Sequence, residues 1–436
     1  MKTGVTLDTI VNLAKRRGFI FPGSEIYGGL ANSWDYGPLG VELKNNIKQL
    51  WWKHFVQSRR DMVGIDAALI MNPKVWEASG HLETFTDPLV ECKSCHVRLR
   101  ADQIDTAAAC PQCGKAGQFT EAAQFNLMFQ THLGPKEDAA SIVYLRPETA
   151  QAMFIDFPNV LNTTRKRIPF GIAQIGKAFR NEITPGNFIF RTREFEQMEI
   201  EYFIHPDQWK EQFEYWLQAM HEWIALCGID PGMVHDAEVP KEKLAHYSQR
   251  TVDIEFDFPF GQEELYGLAY RTDFDLKQHQ EASGKNMEYT DPVSGQPYIP
   301  HVIEPTFGVD RTLLAVLVSA YEEEEVKGEQ RVVLRLPAAL APYQVAILPL
   351  SKKEELSKVA GGLADELQKE FRLDYDETQS IGKRYRRQDE IGTPYCVTVD
   401  FESLEDQQVT VRERDSMQQD RIAISKVAEY LRDKIS

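Results

Sequence analysis

Apolar and polar residues alternate through residues 179–203, in two runs that flank a Pro-Gly turn. Because neighbouring side chains of a strand point to opposite faces, this pattern predicts an antiparallel hairpin with two unlike faces. The residues predicted to pack into a core are Met198, Ile200 and Tyr202. The opposite face carries Arg193, Phe195, Gln197 and Glu199 on the second strand, and Arg180 and Glu182 on the first. Such a polar face is typical either of a binding site or of a solvated surface with ion pairs.

Periodicity predicts the other elements of the first 335 residues. The expected helices lie between Thr6 and Gly18, over residues 41–57, within 206–250 and from near Asp310 onward. The expected strands are residues 64–73, a pair within 252–276 and residues 301–308. The acidic run Glu322–Glu325 is predicted to be a solvated helix end.

The pattern changes near residue 337 to strands that alternate with helices. The expected strands are Gln344–Leu348, Arg372–Tyr375, Tyr395–Asp400 and Val409–Arg412. The expected helices are Lys352–Phe371, one around Tyr385, and Asp420–Lys434. This alternation indicates a compact α/β domain with a mostly parallel sheet. We therefore expect one domain over residues 1–335 and a second over 337–436.

Composition places the chain among globular proteins that do not cross a membrane. Its 436 residues carry a net charge of −17, which argues against binding of polyanions through bulk charge. A nucleic-acid partner held by a local basic patch stays compatible with that charge. No apolar run approaches the ~20 residues that span a bilayer, and the N-terminus lacks the apolar core of a signal peptide. We expect a cytoplasmic protein.

Four of the six cysteines form two C-x2-C pairs separated by 14 residues. They are Cys92, Cys95, Cys110 and Cys113. Four thiolates at this spacing surround one tetrahedral Zn²⁺ ion, which predicts a structural zinc-ribbon-like insertion over residues 88–120. Four ligands leave no coordination position for a substrate. Two alternatives stay open, namely a pair of disulfides and a relic that no longer holds a metal.

Seven sequence blocks carry a resemblance to a known family. They are RRGFIFPGSEIYGG, DYGPLGVELKNN, LRPETAQ, FRNEI, REFEQMEIEYF, YRTDFDL and VIEPTFGVDR. Together they resemble, along nearly the whole chain, the dimeric type of glycyl-tRNA synthetase, a class II aminoacyl-tRNA synthetase. The hairpin resembles the second signature motif of that class and Gly308–Arg311 the third. The helix and strand that end at Pro73 resemble the first, which makes the dimer interface in that class and implies a homodimer.

The resemblance implies an α+β fold, in which an antiparallel sheet flanked by helices carries the zinc-ribbon-like insertion and a C-terminal α/β anticodon-binding domain. It also implies ATP as a substrate, with Mg²⁺. Arg180 would contact the α-phosphate and Arg311 the γ-phosphate, because an always-cationic guanidinium stabilises charge that builds on phosphoryl oxygens. Phe195 would stack on adenine, Glu182 would accept from its amino group, and Glu264 would be a Mg²⁺ ligand. The implied ATP-binding residues are Arg180, Asn181, Glu182, Phe190, Arg191, Arg193, Phe195, Glu264, Leu265, Gly308, Asp310 and Arg311.

The same resemblance implies a glycine pocket beside the ATP site. Its implied residues are Arg100, Glu148, Gln197, Glu199, Arg271, Glu304 and Thr306. Glu148, Glu199 and Glu304 would bind the ammonium group, and crowding would exclude any larger side chain. Because one methyl group discriminates by only ~1–3 kcal/mol, steric exclusion has to supply the selectivity. Taken alone, Arg271 also fits a simple ion pair with Asp273 or Asp275.

Two positions depart from the family pattern. Thr306 stands where the family commonly has serine, and Gln262 stands where it commonly has tryptophan. Neither departure removes a charged group.

The C-terminal domain resembles the anticodon-binding domain of the glycyl, histidyl, threonyl and prolyl enzymes, which implies tRNA(Gly) as a partner. It contains a basic cluster of Lys383, Arg384, Arg386 and Arg387, a candidate contact to tRNA phosphates. The alternative is a helix face neutralised by Asp389 and Glu390.

Three rival functions stay open beside glycine–tRNA ligation. A non-catalytic accessory subunit should have lost the phosphate arginines, yet Arg180, Arg191, Arg193 and Arg311 are all present. A synthetase for another small amino acid is distinguished only by the glutamate trio and Thr306. A zinc-ribbon nucleic-acid-binding protein without activity would leave the ordered blocks unexplained.

Overall fold

The structure is a computed structural model that describes residues 5–116, 118–326 and 328–435. The α-helices are α1 (Leu7–Arg17), α2 (Pro38–Trp52), α3 (Lys74–Ala78), α4 (His81–Thr84), α5 (Ala150–Ile155), α6 (Phe157–Thr164), α7 (Trp209–Leu226), α8 (Phe274–Ser283), α9 (Val309–Ala320), α10 (Glu354–Leu367), α11 (Ile381–Ile391), α12 (Glu402–Asp406) and α13 (Val427–Ile435). No helix within these ranges is long and apolar enough to cross a membrane.

The strands of the first half are β1 (Ile20–Pro22), β2 (Trp34–Tyr36), β3 (Met62–Gly64), β4 (Thr86–Glu91), β5 (Arg98–Arg100), β6 (Ala123–Asn126), β7 (Gln130–His132), β8 (Ile142–Tyr144), β9 (Phe170–Phe179), β10 (Glu194–Ile204) and β11 (Val234–Glu238). The strands of the second half are β12 (Arg250–Phe258), β13 (Gly261–Thr272), β14 (Tyr289–Thr290), β15 (Pro297–Tyr298), β16 (His301–Gly308), β17 (Tyr321–Val326), β18 (Glu329–Leu334), β19 (Val345–Pro349), β20 (Leu373–Tyr375), β21 (Tyr395–Val399), β22 (Gln408–Glu413) and β23 (Gln419–Ala423).

A seven-stranded sheet in the order β11-β12-β13-β16-β10-β9-β3 forms the centre of the first half. All of its pairs are antiparallel except β3 with β9. One face packs against α2, α7 and α9 through a core that includes Trp51, Phe55, Trp216 and Phe307. Met198, Ile200 and Tyr202 point into this core, as their period predicts. The fold is therefore the expected α+β arrangement, with an antiparallel sheet flanked by helices.

The two predicted N-terminal helices are confirmed, and their ends have clear causes. The Thr6 side chain accepts a hydrogen bond from the Thr9 N–H, which caps α1, and Gly18 ends that helix with a φ of 76°. Pro38 opens α2, where its missing N–H costs no helical hydrogen bond. Residues Lys53–Gln57 continue α2 as one π-helical turn.

The β9–β10 hairpin differs from the prediction at its open end. Arg180 and Glu182 follow β9 in the connecting loop, and Arg193 immediately precedes β10, so none of the three lies in a strand. The loop returns through a bridge between Gly186 and Arg191. Pairing of the two strands starts at Phe179 opposite Glu194. The side-chain directions of Arg180 and Arg193 are therefore not set by the in–out alternation of the strands.

Three other expectations for the first half were wrong. Of the strand expected over 64–73, only Gly64 lies in a strand. The backbone just beyond it bonds to β9, partly through a side chain: the Ala67 N–H donates to the side-chain oxygen of Gln174. The helical prediction for 206–250 ends at Leu226, and β11 follows. The acidic run forms β17, where Glu324 pairs with Arg331 on the neighbouring strand β18 and Glu322 pairs with Arg335, directly after that strand.

A five-stranded sheet, β20-β19-β21-β22-β23, organises the C-terminal region. The β20, β19 and β21 pairs are parallel and the two β22 pairs are antiparallel, so the sheet is evenly mixed rather than mostly parallel. The helix expected from Asp420 begins at Val427, because Gln419–Ala423 pair with β22 as an edge strand. The other two predicted helices, α10 and α11, are present.

Candidate active site

A cavity of about 140 Å³ lies between the hairpin loop, β13 and the start of α9. Most of the predicted ATP-binding residues line it: Arg180, Glu182, Phe190, Arg191, Phe195, Glu264, Leu265, Gly308, Asp310 and Arg311. Gln197 and Thr306, predicted for the glycine side, also line it. Residues far apart in sequence therefore meet in one concave site, as the resemblance implies.

Aromatic rings and backbone carbonyls position the two key arginines of this cavity. The Arg180 Nε donates to the Pro147 carbonyl at 3.0 Å, and its guanidinium lies 5.2 Å from the centre of the Phe195 ring. Arg311, in the first turn of α9, donates to the Glu264 carbonyl at 2.8 Å and lies 4.4 Å from the Phe190 ring centre. The cavity thus has a cation and an aromatic surface on each of two sides, which suits a nucleotide.

Asp310 has a structural position at the edge of the cavity. Its carboxylate accepts from the Tyr36 hydroxyl, from Lys44 at 3.0 Å and from the Glu196 N–H at 2.8 Å. These contacts tie α9 to α2, β2 and β10. Burial, followed by the charge of Asp310, raises the pKa of Tyr36 well above its usual value, so Tyr36 remains a donor.

Three buried carboxylates lie behind this cavity, on the sheet face covered by α5 and α8. They are Glu148, Glu199 and Glu304, the predicted glycine-binding trio. The Thr306 hydroxyl lines the cavity and donates to Glu199 at 3.0 Å. This contact makes the cavity and the carboxylate cluster continuous.

Glu199 has a donor on each of its carboxylate oxygens. The Thr149 hydroxyl donates to one oxygen and the Thr306 hydroxyl to the other. Burial, and after it the charge of Glu148, raises the pKa of Glu199. The two hydroxyls act in the opposite direction, because they stabilise the ionised carboxylate.

Glu148 has the opposite balance. The His81 ring lies 3.3 Å from one of its oxygens, and the Gln151 amide donates to the other at 3.0 Å. Although burial alone raises the pKa of Glu148, the His81 and Arg271 charges outweigh it and hold the pKa well below its usual value. Glu148 is therefore the carboxylate of the cluster that stays ionised most readily.

Arg271 is a buried arginine that contacts this cluster directly. It binds Asp275 through two hydrogen bonds of 2.8 Å and Glu304 through one of 2.7 Å. The Tyr247 ring centre lies 3.7 Å from its guanidinium carbon. Of the two simple ion pairs considered from the sequence, the one with Asp275 exists, and the structure adds a contact to Glu304 that the sequence did not predict.

Sequence reasoning missed three members of the cluster: His81, Thr149 and Glu201. A signal for Glu201 was present, because the period of two that places Glu199 on the pocket face places Glu201 there also. Thr149 directly follows Glu148 in the quoted block LRPETAQ. His81 lies outside every quoted block, and only the fold brings it near.

Three predicted residues belong neither to the main cavity nor to the carboxylate cluster behind it. Arg193 lines a neighbouring cavity of about 670 Å³, and the Asn181 backbone N–H bonds to the Leu127 carbonyl. Arg100 lies on the insertion, where it binds Asp87 at 2.6 Å and Asp102 at 2.8 Å. The departure Gln262 lies on the exposed start of β13 and donates to Glu255.

The four clustered cysteines form two matching turns. In each turn the carbonyl of the first cysteine accepts a hydrogen bond from the residue just after the second cysteine. The His96 N–H donates to the Cys92 carbonyl and the Gly114 N–H to the Cys110 carbonyl, both at 2.8 Å. Two Sγ–Sγ distances are 3.8 Å, and all four sulfurs lie within 4.8 Å of one another. Sulfurs about 2.3 Å from a tetrahedral Zn²⁺ are about 3.8 Å apart, whereas a disulfide needs about 2.05 Å. The cluster is therefore not disulfide-bonded and fits a zinc ion.

The basic cluster on α11 is less uniform than its sequence suggests. Arg384 is buried and donates to the carbonyls of Pro349 at 2.6 Å and Asp376 at 2.9 Å, so it is unsuited to contact phosphate. Arg387 bonds to Asp376 and Thr378. Lys383 and Arg386 line a surface cavity beside α1.

Comparison with known proteins agrees with this geometry. Residues 133–320 match the tRNA synthetase class II core domain (G, H, P, S and T), and residues 344–434 match the anticodon binding domain. The chain is 56% identical to a glycine–tRNA ligase of Caldanaerobacter subterraneus subsp. tengcongensis, over 100% of both chains. It is also 56% identical to one from Lysinibacillus sphaericus over 98% of both chains, and 54% identical to one from Geobacillus thermodenitrificans over 99% of this chain and 98% of the relative.

An antiparallel sheet that carries an arginine-lined cavity between its hairpin loop and a following helix, together with matches to the class II core and anticodon-binding domains, defines a class II aminoacyl-tRNA synthetase. Full-length similarity narrows this class further. The chain belongs to the glycine–tRNA ligase family.

Proposed function

We propose that this chain is a glycine–tRNA ligase that activates glycine with ATP to glycyl-adenylate and then transfers glycine to the 3′ end of tRNA(Gly). The observation that carries the proposal is the Thr306 hydroxyl, which lines the arginine-containing cavity and also bonds to buried Glu199. An anion site and a small-cation site thereby adjoin, which is what the joining of a zwitterionic amino acid to ATP requires.

In the first step the glycine carboxylate attacks the α-phosphorus of ATP, and pyrophosphate leaves. Arg180 stabilises the charge on the α-phosphate, and Arg311 holds the γ-phosphate at the start of α9. Phe195 stacks on adenine, and Glu182 accepts from the adenine amino group. No protein nucleophile takes part, because positioning and charge stabilisation suffice for this displacement. In the second step the ribose hydroxyl at the tRNA 3′ end attacks the activated carbonyl.

Glu148, Glu199 and Glu304 receive the glycine ammonium, while Arg271 keeps Glu304 in place. All of these carboxylates are buried, so a cation that enters the pocket meets little competing water. Thr306 adds a methyl group to a hydroxyl that serine would also supply, and this methyl narrows the pocket against larger amino acids.

Two metal ions have candidate sites. Mg²⁺ would bind with the ATP phosphates near Glu264, whose carboxylate now pairs with Arg311 at 3.1 Å and is half-exposed. Zn²⁺ would bind Cys92, Cys95, Cys110 and Cys113 in a structural role, since four thiolates close its coordination sphere.

We further propose a cytoplasmic homodimer of the dimeric glycyl type, with a catalytic domain over residues 1–335, an insertion over 88–120 and an anticodon-binding domain over 337–436. Support for the last comes from the match over residues 344–434. The α2 helix, with its adjacent Trp51 and Trp52, belongs to the segment that makes the interface in this class. Lys383 and Arg386 are the remaining candidates for contacts to tRNA phosphates.

The deciding experiment is ATP–pyrophosphate exchange without tRNA, across all twenty amino acids. We expect exchange with glycine alone, and its loss in Arg180→Ala. Arg98→Ala is the matched control, because Arg98 is an exposed arginine whose ion pair with Glu91 lies on the insertion. Exchange with alanine or serine would contradict the proposed pocket, and absence of exchange with every amino acid would contradict the enzyme function.

A further inference from the structure

Glu201 is a buried carboxylate for which the described residues supply no hydrogen-bond partner. Its side chain is 0% exposed, and neither carboxylate oxygen accepts from any described donor. It lies two positions beyond Glu199 on β10, on the same face, so it belongs to the glycine cluster by position. Its carboxylate lies within 4.8 Å of the carboxylates of Glu199 and Glu304.

The surroundings of Glu201 disfavour a negative charge. Glu304 faces it from the neighbouring strand β16, and Asp275 lies beyond on α8. The cation that acts on Glu201, Arg271 of β13, directs its hydrogen bonds to Asp275 and Glu304. An ionised carboxylate without a donor or a paired cation costs several kcal/mol to bury, so a neutral carboxylic acid is the stable form.

The direction of the pKa shift agrees with this assignment. Burial, followed by the charge of Glu304, raises the pKa of Glu201 well above its usual value. Burial also raises the pKa of Glu304 well above its usual value, against the opposing charge of Arg271. Geometry separates the two acids: Glu304 accepts a hydrogen bond of 2.7 Å from Arg271 and Glu201 accepts none from the described residues, so we assign the proton to Glu201.

We propose that Glu201 is a positioning residue for glycine, a neutral acid whose O–H donates to Glu304 and holds that carboxylate toward the ammonium group. The inference rests on the proposed function. One carboxylate oxygen of Glu304 accepts from Arg271, and the described residues supply no donor to its second oxygen. A separation of no more than 4.8 Å between the carboxylates closes to hydrogen-bond length through a modest side-chain rotation.

The arrangement makes a sharp distinction between two substitutions of similar volume. Glu201→Gln keeps a neutral donor, the amide NH₂, in nearly the same shape, whereas Glu201→Leu removes it. One hydrogen bond to a charged group corresponds to about tenfold or more in affinity. We expect Glu201→Leu to raise the KM for glycine about tenfold, with the KM for ATP unchanged, and Glu201→Gln to stay within about threefold of the wild type.

The test is glycine-dependent ATP–pyrophosphate exchange on the full chain, with KM and kcat measured separately for glycine and ATP. Glu194→Leu is the control for a glutamate-to-leucine change on the same strand, since Glu194 is exposed and pairs only with Lys177 at the surface. Thermal unfolding of each variant separates loss of fold from loss of positioning.

Two results would overturn the inference. A large rise in glycine KM for Glu201→Gln would mean that an ionised Glu201 binds the ammonium directly. Equal glycine KM values in the wild type, Glu201→Gln and Glu201→Leu would mean that Glu201 positions nothing. Failure of the proposed function is distinct from both, because the wild-type protein itself would then show no exchange with glycine.

Discussion

Replacement of Thr306 by valine tests the contact that joins the two halves of the site. Valine has almost the same shape but lacks the hydroxyl that donates to Glu199 at 3.0 Å. Because Glu199 is buried, water does not replace that donor, and the loss falls on an ionised carboxylate. A hydrogen bond to a charged group contributes about 1.5–3 kcal/mol, which corresponds to about 10- to 150-fold.

The expected consequence appears in glycine binding. In the wild type the Thr306 hydroxyl lowers the pKa of Glu199 against the effect of burial. When that hydroxyl is removed, the pKa rises and Glu199 is ionised in a smaller fraction of the molecules. We expect the kcat/KM for glycine in pyrophosphate exchange to fall about 10-fold or more in Thr306→Val. The decrease should be larger at pH 6 than at pH 8, because a raised pKa leaves more of the protonated form at low pH.

Thr306→Ser is the matched control, because it keeps the hydroxyl and removes only the methyl group. It should stay within a few-fold of the wild type for glycine and should activate alanine more readily. Equal glycine kcat/KM values for the valine and serine variants would refute the reasoning, since the hydroxyl would then contribute nothing. A decrease that affects ATP KM alone would place Thr306 in the nucleotide site only.

Three further predictions follow from other parts of the chain. Purified protein should contain one zinc per chain by metal analysis, and Cys110→Ser should lose it and unfold at a lower temperature, whereas Cys227→Ser, outside the cluster, should keep it. Lys383→Ala should raise the KM for tRNA several-fold in aminoacylation and leave pyrophosphate exchange unchanged. Arg384→Ala should instead lower the unfolding temperature, because Arg384 bonds to buried carbonyls. A lower unfolding temperature for Lys383→Ala, with a raised tRNA KM for Arg384→Ala, would refute these separate roles. Burial opposes ionisation of Asp61, but the Arg59 hydrogen bonds hold the pKa of Asp61 below its usual value. The ionised Asp61 therefore stabilises the fold above about pH 4, and this contribution is lost as the pH falls further. In chemical unfolding, Asp61→Asn should have a lower free energy of unfolding than the wild type at pH 7, and the difference should shrink toward pH 3.

Local patterns in the sequence predicted much of the site because strand alternation is a local property. The period of two placed Phe195, Gln197 and Glu199 on one face and the apolar residues on the other, and the structure agrees. The same rule, continued by one step, would have added Glu201. Which glutamates are buried depends on the cover supplied by α5 and α8, and that cover is set by chain segments far from the hairpin.

The failed predictions share the same origin. Glu322–Glu325 have the composition of a solvated helix end, but Arg331 on β18 and Arg335 directly after it pair with Glu324 and Glu322, and these ion pairs favour a strand. Lys383, Arg384, Arg386 and Arg387 look alike in sequence, yet the fold buries one and pairs another. Propensity and charge pattern describe a residue's neighbours along the chain, whereas these outcomes depend on neighbours across space.

The position of β10 has a consequence for any change of amino-acid specificity. This strand carries Phe195 at the proposed nucleotide site and Glu201 at the far end of the buried carboxylate cluster, about 20 Å apart at about 3.4 Å per residue. Hydrogen bonds to β9 and β16 hold it on both edges, so neither end slides without breaking a ladder. The reach between the two substrates is thus a fixed length, and a mutant library aimed at larger amino acids should vary side-chain volume at Thr306 and Thr149 and leave the strand itself untouched.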